Sequence, residues 1–144
     1  MKQLVVSQHR GTFGGVGMRY SVTVGETVLK SKAGVPEAAV VTTACVREPR
    51  DRSRPVTFLF NGGPGSGSGS GWLQVGAFGA KRVAIPSDAR DDGAPPYPLL
   101  DNPDSLLEVA DLVFIDPPGT GFSVLLPGAK TIMGFSRMRG RRPR

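Results

Sequence analysis

The chain has 144 residues, with 18 lysines and arginines, 12 aspartates and glutamates, one histidine and one cysteine. This length predicts one domain with a hydrophobic core, and a content of 39% hydrophobic and 21% charged residues excludes a disordered polyelectrolyte. No apolar run approaches the roughly 20 residues of a membrane-spanning helix, so no membrane partner is expected. The single cysteine excludes an internal disulfide and a Cys-rich zinc site.

The net charge of +6 is concentrated at one end of the sequence, and the rest of the chain is nearly neutral. Five arginines fall within the last eight residues: Arg137, Arg139, Arg141, Arg142 and Arg144. Such a tail is typical of a solvated, disordered end, and it binds phosphate only nonspecifically through counterion release, so nucleic acid is not the expected partner. The first residues lack the apolar core of a signal peptide. The sequence as written therefore predicts a cytoplasmic protein, or a periplasmic or secreted one if the start codon is misassigned.

The first half of the chain reads as a flexible lead-in followed by strands. Residues 1–17 are rich in glycine and contain His9, which is expected to be an ordinary exposed histidine. Residues 18–30 alternate apolar and polar side chains, which predicts a hairpin that turns at Gly25. Residues 38–47 predict a further strand, in which Cys45 is a small core residue.

Two short, continuous apolar runs, residues 55–60 and 111–116, are typical of strands buried on both faces. They predict a parallel or mixed sheet that is covered by helices. Residues 102–110 favour a short helical turn, with Asn102 as its cap and Pro103 at its first position. No other segment shows an apolar stripe of helical period, so the chain reads as part of a larger α/β domain.

The segment with the clearest chemical potential is the glycine-rich loop that follows Phe60. It lacks the Gly-Lys-Ser/Thr of a phosphate-binding loop, the G-x-G-x-x-G of a dinucleotide site and the G-x-S-x-G of a nucleophile elbow. Glycines at a strand end leave main-chain N–H groups open to a ligand, and such groups can stabilise an oxyanion. The alternative is a plain flexible turn. Trp72, just after this loop, packs in the core or lines a pocket.

Other candidate groups favour ordinary structural roles. His9 is the only histidine and precedes every expected strand, so it is not expected to act as a catalytic base. Cys45 has no base near it in the sequence. The three aspartates at 88, 91 and 92 read as a solvated loop, so neither a metal nor a cofactor is expected.

Two blocks of the sequence resemble the signature regions of the serine carboxypeptidases, which are peptidases with an α/β-hydrolase fold. Residues 55–66, P-V-T-F-L-F-N-G-G-P-G-S, resemble the first block, and residues 101–123 resemble the second, in matching order and separation. Residues 72–83 are similar to the bacterial branch. The resemblance implies an incomplete α/β-hydrolase fold, the β-rich N-terminal part of its central sheet with few helices. It covers residues 18–126, and residues 127–144 form a non-family, Arg-rich tail.

The resemblance also implies roles for individual residues. Asn61 would help to hold the α-carboxylate of a peptide substrate, and the main-chain N–H of Gly63 would belong to the oxyanion hole. Gly62 and Pro64 would shape that turn, with Gly62 and Trp72 counted among the substrate-binding residues. The partner implied is the C-terminus of a peptide.

The departures from the family pattern are at its catalytic centre. The Gly-Glu-Ser-Tyr elbow and the later Asp and His are absent from this sequence, so the triad is missing and the chain alone is predicted to be inactive. The Arg-rich end from Met133 predicts a truncated or frameshifted reading frame, which sequencing beyond codon 144 would test. The expected function is a serine-type carboxypeptidase, present as an N-terminal fragment. The alternatives are a fragment of an acyltransferase of the same family and a noncatalytic β-rich module with a nucleic-acid-binding basic tail.

Overall fold

The computed structural model describes residues 4–61, 71, 73–84 and 97–129 of the chain. In these residues the regular structure is mainly strand, and its eight strands are β1 Leu4–Phe13, β2 Val16–Lys30, β3 Pro36–Glu48, β4 Val56–Leu59, β5 Lys81–Val83, β6 Leu99–Asp101, β7 Asp111–Ile115 and β8 Val124–Leu125. Two short helical elements are present in these residues, a π-helical turn over Leu73–Ala77 and a 3₁₀ turn over Leu106–Glu108. None of the helical structure described is long and apolar enough to cross a membrane.

Six strands form one mixed sheet in the order β1-β2-β3-β7-β4, with β8 pairing beside β3. The pairs β1–β2, β2–β3, β3–β7 and β3–β8 are antiparallel, whereas β4 and β7 run parallel. Strands β5 and β6 form a separate antiparallel pair. The two continuous apolar runs of the sequence therefore become neighbouring parallel strands.

The expected α/β architecture, an incomplete α/β-hydrolase fold, is wrong for this chain. Strands account for about 53% of the structure and helical residues for 9%, whereas an α/β sheet requires helices packed on both of its faces. The physical reason lies in the segments between the strands. Those that the structure describes are short and are broken by glycine, proline and aspartate, and they form single turns because they have no extended apolar stripe of helical period.

The N-terminal residues assigned to a lead-in form an edge strand of the sheet. Strand β1 pairs with β2 over its whole length, and the two are joined by Gly14 and Gly15, whose φ angles are 54° and 80°. Positive φ at both central residues is the requirement of a tight two-residue hairpin turn, which glycine meets without strain. The predicted turn at Gly25 is wrong, because Gly25 lies inside β2 and pairs with Leu4 and Thr42.

The core lies on one face of the sheet. Its largest fully buried side chains include Phe13, Tyr20, Leu107, Leu112 and Phe114, and Cys45 is packed among them. Because successive residues of a strand face opposite sides, Leu59 of β4 packs against this cluster while its neighbours turn away.

The opposite face of β4 is largely uncovered by the residues that the structure describes. Val56, Phe58 and Phe60 are 51%, 61% and 63% exposed. The expectation that this strand is buried on both faces is therefore wrong within the described residues, since the described turns cover only the face that carries Leu59. Strand β7 is closer to the expectation, with Leu112 and Phe114 buried and Val113 and Ile115 half-buried.

The predicted helical turn after residue 102 is present as the 3₁₀ turn, but its cap differs from the prediction. Ser105 is the N-cap, and its hydroxyl accepts a hydrogen bond from the Leu107 N–H at 3.2 Å. Asn102 is buried and makes tertiary hydrogen bonds instead. A serine close to the turn satisfies an otherwise unpaired amide, as capping requires.

Candidate functional site

Asn61 is the one predicted site residue that the structure describes. Asn61 lies two residues after the end of β4 and is exposed to solvent. The predicted oxyanion donor Gly63 and the predicted substrate-binding residues Gly62 and Trp72 lie outside the described residues. The geometry around the glycine loop is therefore defined by Asn61 and by the strands that lead to it.

The parallel pairing of β4 and β7 sets which chain segments lie near Asn61. Leu59 pairs with Phe114, so the end of β4 and the end of β7 lie at the same edge of the sheet. Asp116 follows β7 directly, and residues 116–123 form the loop that begins there. The carboxyl ends of adjacent parallel strands are where ligands bind in many mixed and parallel sheets.

The loop of residues 116–123 is held by a connected set of hydrogen bonds. The buried carboxylate of Asp116 accepts the Phe122 N–H at 2.9 Å through Oδ2. The Ser123 hydroxyl donates to the Asp116 carbonyl at 2.7 Å and accepts the Val41 N–H at 2.8 Å, which ties the loop to β3. The loop is thus fixed both internally and to the sheet. No individual role for these residues follows from the sequence alone, although the run D-P-P-G-T-G-F-S marks a tight turn.

A second network fastens the segment that follows residue 72. The buried carboxamide of Asn102 donates to the carbonyls of Ala77 and Gly79 at 2.8 and 2.9 Å, and the Ser105 hydroxyl donates to the Phe78 carbonyl at 3.3 Å. A Cβ on Gly79 would lie 1.7 Å from the Gln74 carbonyl oxygen, so this approach requires glycine. The second block therefore contacts the 72–83 segment, which resembles the bacterial branch, through main-chain carbonyls of that segment.

The starts of β4 and β7 are joined by a largely buried ion pair. Arg54 Nε lies 3.2 Å from Asp111 Oδ1, and the same carboxylate oxygen accepts the Arg47 N–H at 3.1 Å. The Arg54 guanidinium also donates to the carbonyls of Leu107 and Glu108 at 2.7 and 3.3 Å. This clamp joins the starts of the two parallel strands, where Val56 pairs with Asp111.

The other titratable candidates lie away from this edge. His9 lies on β1, which is at the opposite end of the strand order from β4, and its ring stacks on Tyr20 with centroids 5.3 Å apart. Burial raises the pKa of the Cys45 thiol to about 11, which keeps it protonated near neutral pH. Cys45 pairs with Leu112 near the start of β7, so the structure brings neither His9 nor Cys45 to Asn61.

No group of three potential metal ligands occurs among the residues described. The aspartate loop at 88, 91 and 92 lies outside them.

No model of a protein family matches the chain, and neither a curated protein nor a solved structure shows significant similarity to it.

Proposed function

We propose that this chain supplies the oxyanion-stabilising loop and the carboxylate anchor of a serine-type carboxypeptidase. The proposal starts from the two sequence blocks that resemble those enzymes and does not depend on an α/β architecture. The single observation that supports it is the parallel pairing of β4 with β7. The strands that carry the two blocks are direct neighbours, and both end at the edge where Asn61 lies.

In the proposed chemistry, Asn61 donates a side-chain hydrogen bond to the α-carboxylate of the peptide. The main-chain N–H of Gly63 donates to the oxygen that becomes negative when the scissile carbonyl is attacked. The attacking serine and its histidine base come from outside these 144 residues, because the sequence has no G-x-S-x-G elbow and its only histidine is His9. The chain alone therefore binds a peptide C-terminus without cleaving it.

The test is a binding titration of the 144-residue chain with an N-blocked dipeptide and with the same dipeptide as its C-terminal amide. Since hydrogen bonds to charged groups contribute about 1.5–3 kcal/mol, the free carboxylate should bind at least about tenfold more tightly than the amide. Asn61→Asp keeps the size of the side chain but repels a carboxylate, so the preference should disappear. Equal affinities for the two peptides in the unmodified chain would overturn the proposal.

A matched control is Gln8→Glu, which makes the same amide-to-acid change at an exposed position of β1, at the far end of the sheet. This variant should keep the preference for the free carboxylate. A hydrolysis assay on the same dipeptide should show no release of the C-terminal residue that a serine-directed inhibitor blocks. Such release would contradict the expected inactivity of the isolated chain.

A second candidate, a noncatalytic β-rich binding module with a basic tail for nucleic acid, is favoured by the strand-dominated structure. It predicts that a fluorescent oligonucleotide binds the chain with an affinity that falls steeply as salt is raised. Deletion of residues 137–144 should then abolish binding. Binding that survives this deletion, or that does not respond to salt, would contradict this candidate. An acyltransferase is not favoured over a hydrolase by any described residue.

A further inference from the structure

An open cavity of about 770 Å³ lies where β1, β2 and β3 meet, away from the β4–β7 edge that holds Asn61. Its lining includes the three arginines Arg10, Arg19 and Arg47, one from each strand. The volume falls within the range of small-molecule sites, about 300–1,000 Å³. This cavity is therefore large enough for a ligand and is distinct from the site discussed above.

Arg10 and Arg19 form an unusual pair. They are directly opposite each other in the β1–β2 register, and both are exposed. Like charges at directly opposed positions destabilise a sheet. Neither side chain makes an ion pair or a hydrogen bond with the described part of the chain. Glu48 lies opposite Arg19 in the β2–β3 register, but no ion pair or hydrogen bond joins the two side chains, so no contact of either guanidinium group offsets the repulsion.

The two acids that line the cavity are already engaged by other cations. Glu48 lies 3.7 Å from Arg50 and accepts the Ser21 hydroxyl at 3.2 Å. Asp101 is paired with Lys81 and also accepts the Thr12 N–H at 2.9 Å. These interactions, led by the Lys81 hydrogen bond, hold the pKa of Asp101 below its usual value, so it stays ionised and paired. Both acids are thus paired with cations other than the arginines of the lining, and three arginines against two acids leave the cavity with a positive charge.

We propose that this cavity binds a small molecule through its phosphate group. Guanidinium groups match phosphate oxygens through paired, charge-assisted hydrogen bonds. A phosphate dianion fits the neighbouring Arg10 and Arg19 better than a carboxylate, which carries one charge. Arg10 and Arg19 are the principal ligands because they share one face of the sheet, whereas Arg47 pairs with Tyr20 and stands on the other face. The rest of the cavity accommodates the organic part of the ligand.

Gly17 allows a test that leaves every charge in place. It lines the cavity, and a Cβ added there would meet no atom within 4 Å. Gly17 pairs with Thr12 and lies two residues before Arg19, so its side chain would stand on the same face of β2 as Arg19. Gly17→Leu should therefore fill part of the cavity while both arginines remain.

The experiment is isothermal titration calorimetry of the 144-residue chain with inorganic phosphate and with pyrophosphate, and with acetate as the carboxylate comparison. Both phosphates should bind more tightly than acetate. Arg10→Gln and Arg19→Gln should each weaken pyrophosphate binding about tenfold or more, as expected for loss of a charge-assisted hydrogen bond. Gly17→Leu should also weaken it. Because Arg10→Gln removes the repulsion between opposed charges, it should not lower the thermal stability of the free chain.

Arg82→Gln is the matched control, since Arg82 lies on β5, is partly exposed and is paired with Asp104 outside the cavity. It should bind pyrophosphate as the unmodified chain does. An equal loss of affinity in Arg82→Gln would indicate a general charge effect and would overturn the proposal. The proposal would also be overturned if the unmodified chain bound neither phosphate nor pyrophosphate, or if acetate bound as tightly as phosphate. Full affinity of the Arg10 and Arg19 variants for pyrophosphate would overturn it as well.

Discussion

Gly121 illustrates how one backbone position holds the loop at the end of β7. Its φ is 52°, in the left-handed region, and an added Cβ would lie 2.3 Å from the buried Asp116 carboxylate. Gly119 in the same loop also has positive φ, at 82°, but a Cβ there would meet no atom within 4 Å. Both glycines therefore have positive φ, but only at Gly121 would an added Cβ atom clash with a neighbouring group.

This difference yields a paired prediction. Gly119→Ala should lower the free energy of unfolding by about 1–2 kcal/mol, the cost of a left-handed L-residue. Gly121→Ala should lower it by roughly 3 kcal/mol, because it also displaces the carboxylate that accepts the Phe122 N–H. Urea denaturation of the two variants measures both values. Equal losses would show that the Asp116 contact does not constrain this loop.

The buried thiol of Cys45 leads to a prediction about the stability of the chain at alkaline pH. The thiol is 6% exposed, and burial raises its pKa from 9.0 to about 11. The folded state thus holds this proton more tightly than the unfolded state. The corresponding stability is fully present below pH 9 and is lost as the pH rises to about 11. A shift of this size corresponds to about 3 kcal/mol.

The measurement is the free energy of unfolding of the unmodified chain and of Cys45→Ala between pH 7 and pH 11. The variant should lose less stability over this range because it lacks the thiol. Both should still weaken at the alkaline end, since burial, with smaller effects from Cys45 and Asp101, raises the pKa of Tyr20 to about 12. Identical pH profiles would contradict the assignment of this loss to Cys45.

At the level of elements, the Arg54–Asp111 ion pair holds the starts of β4 and β7 together. Both side chains are nearly buried, and the guanidinium also satisfies two carbonyls at the 3₁₀ turn. Removal of one partner from such a pair leaves a buried charge without compensation, which costs about 3–5 kcal/mol. Arg54→Met should therefore lower the free energy of unfolding by about 3 kcal/mol or more.

Arg50→Met is the matched control, because Arg50 is 71% exposed and lies 3.7 Å from Glu48. Exposed ion pairs contribute about 0–1 kcal/mol, so this variant should change the stability little. Denaturant unfolding compares the two. If Arg54→Met cost no more than Arg50→Met, the buried pair would contribute no more to stability than an exposed one.

The strands differ in how far the sequence alone could predict them. β4 and β7 are predicted as strands because their runs of apolar residues are short and continuous, a pattern that depends on local sequence. The β1–β2 hairpin is mispredicted because glycine is ambiguous. Gly25 resembles a turn but lies within a strand, whereas Gly14 and Gly15 adopt the positive φ angles that make the turn. Only tertiary pairing distinguishes these uses of glycine.

At the scale of the whole molecule, the sequence reveals a candidate site only where its residues are contiguous. Asn61, Gly62 and Gly63 could be singled out from a contiguous motif, and their proposed roles remain predictions. The Arg10–Arg19 pair could not be found in this way, because it depends on the β1–β2 register, and β1 was expected to be a flexible lead-in. The α/β fold class is wrong because strand patterns do not show what covers the second face of a sheet.

That second face leads to a prediction about association. Phe58 is 61% exposed on β4, which is the last strand in the order of the sheet, and the half-buried Val113 is its partner in the register. Exposed apolar side chains on an edge strand promote pairing between molecules. The chain should therefore self-associate as its concentration rises, and sedimentation velocity would measure the shift to larger species.

Phe58→Lys should reduce this association, because a charge on an edge strand opposes pairing with another chain. This substitution should lower the free energy of unfolding only slightly, since the Phe58 side chain is mostly exposed to solvent. Phe122→Lys makes the same change at a residue that is 83% exposed in the loop after β7, so it controls for added charge and lost hydrophobicity away from the sheet face. An equal effect of both variants would assign the association to general surface hydrophobicity, and a monomer at every concentration would show that the β4 face is too small to drive it.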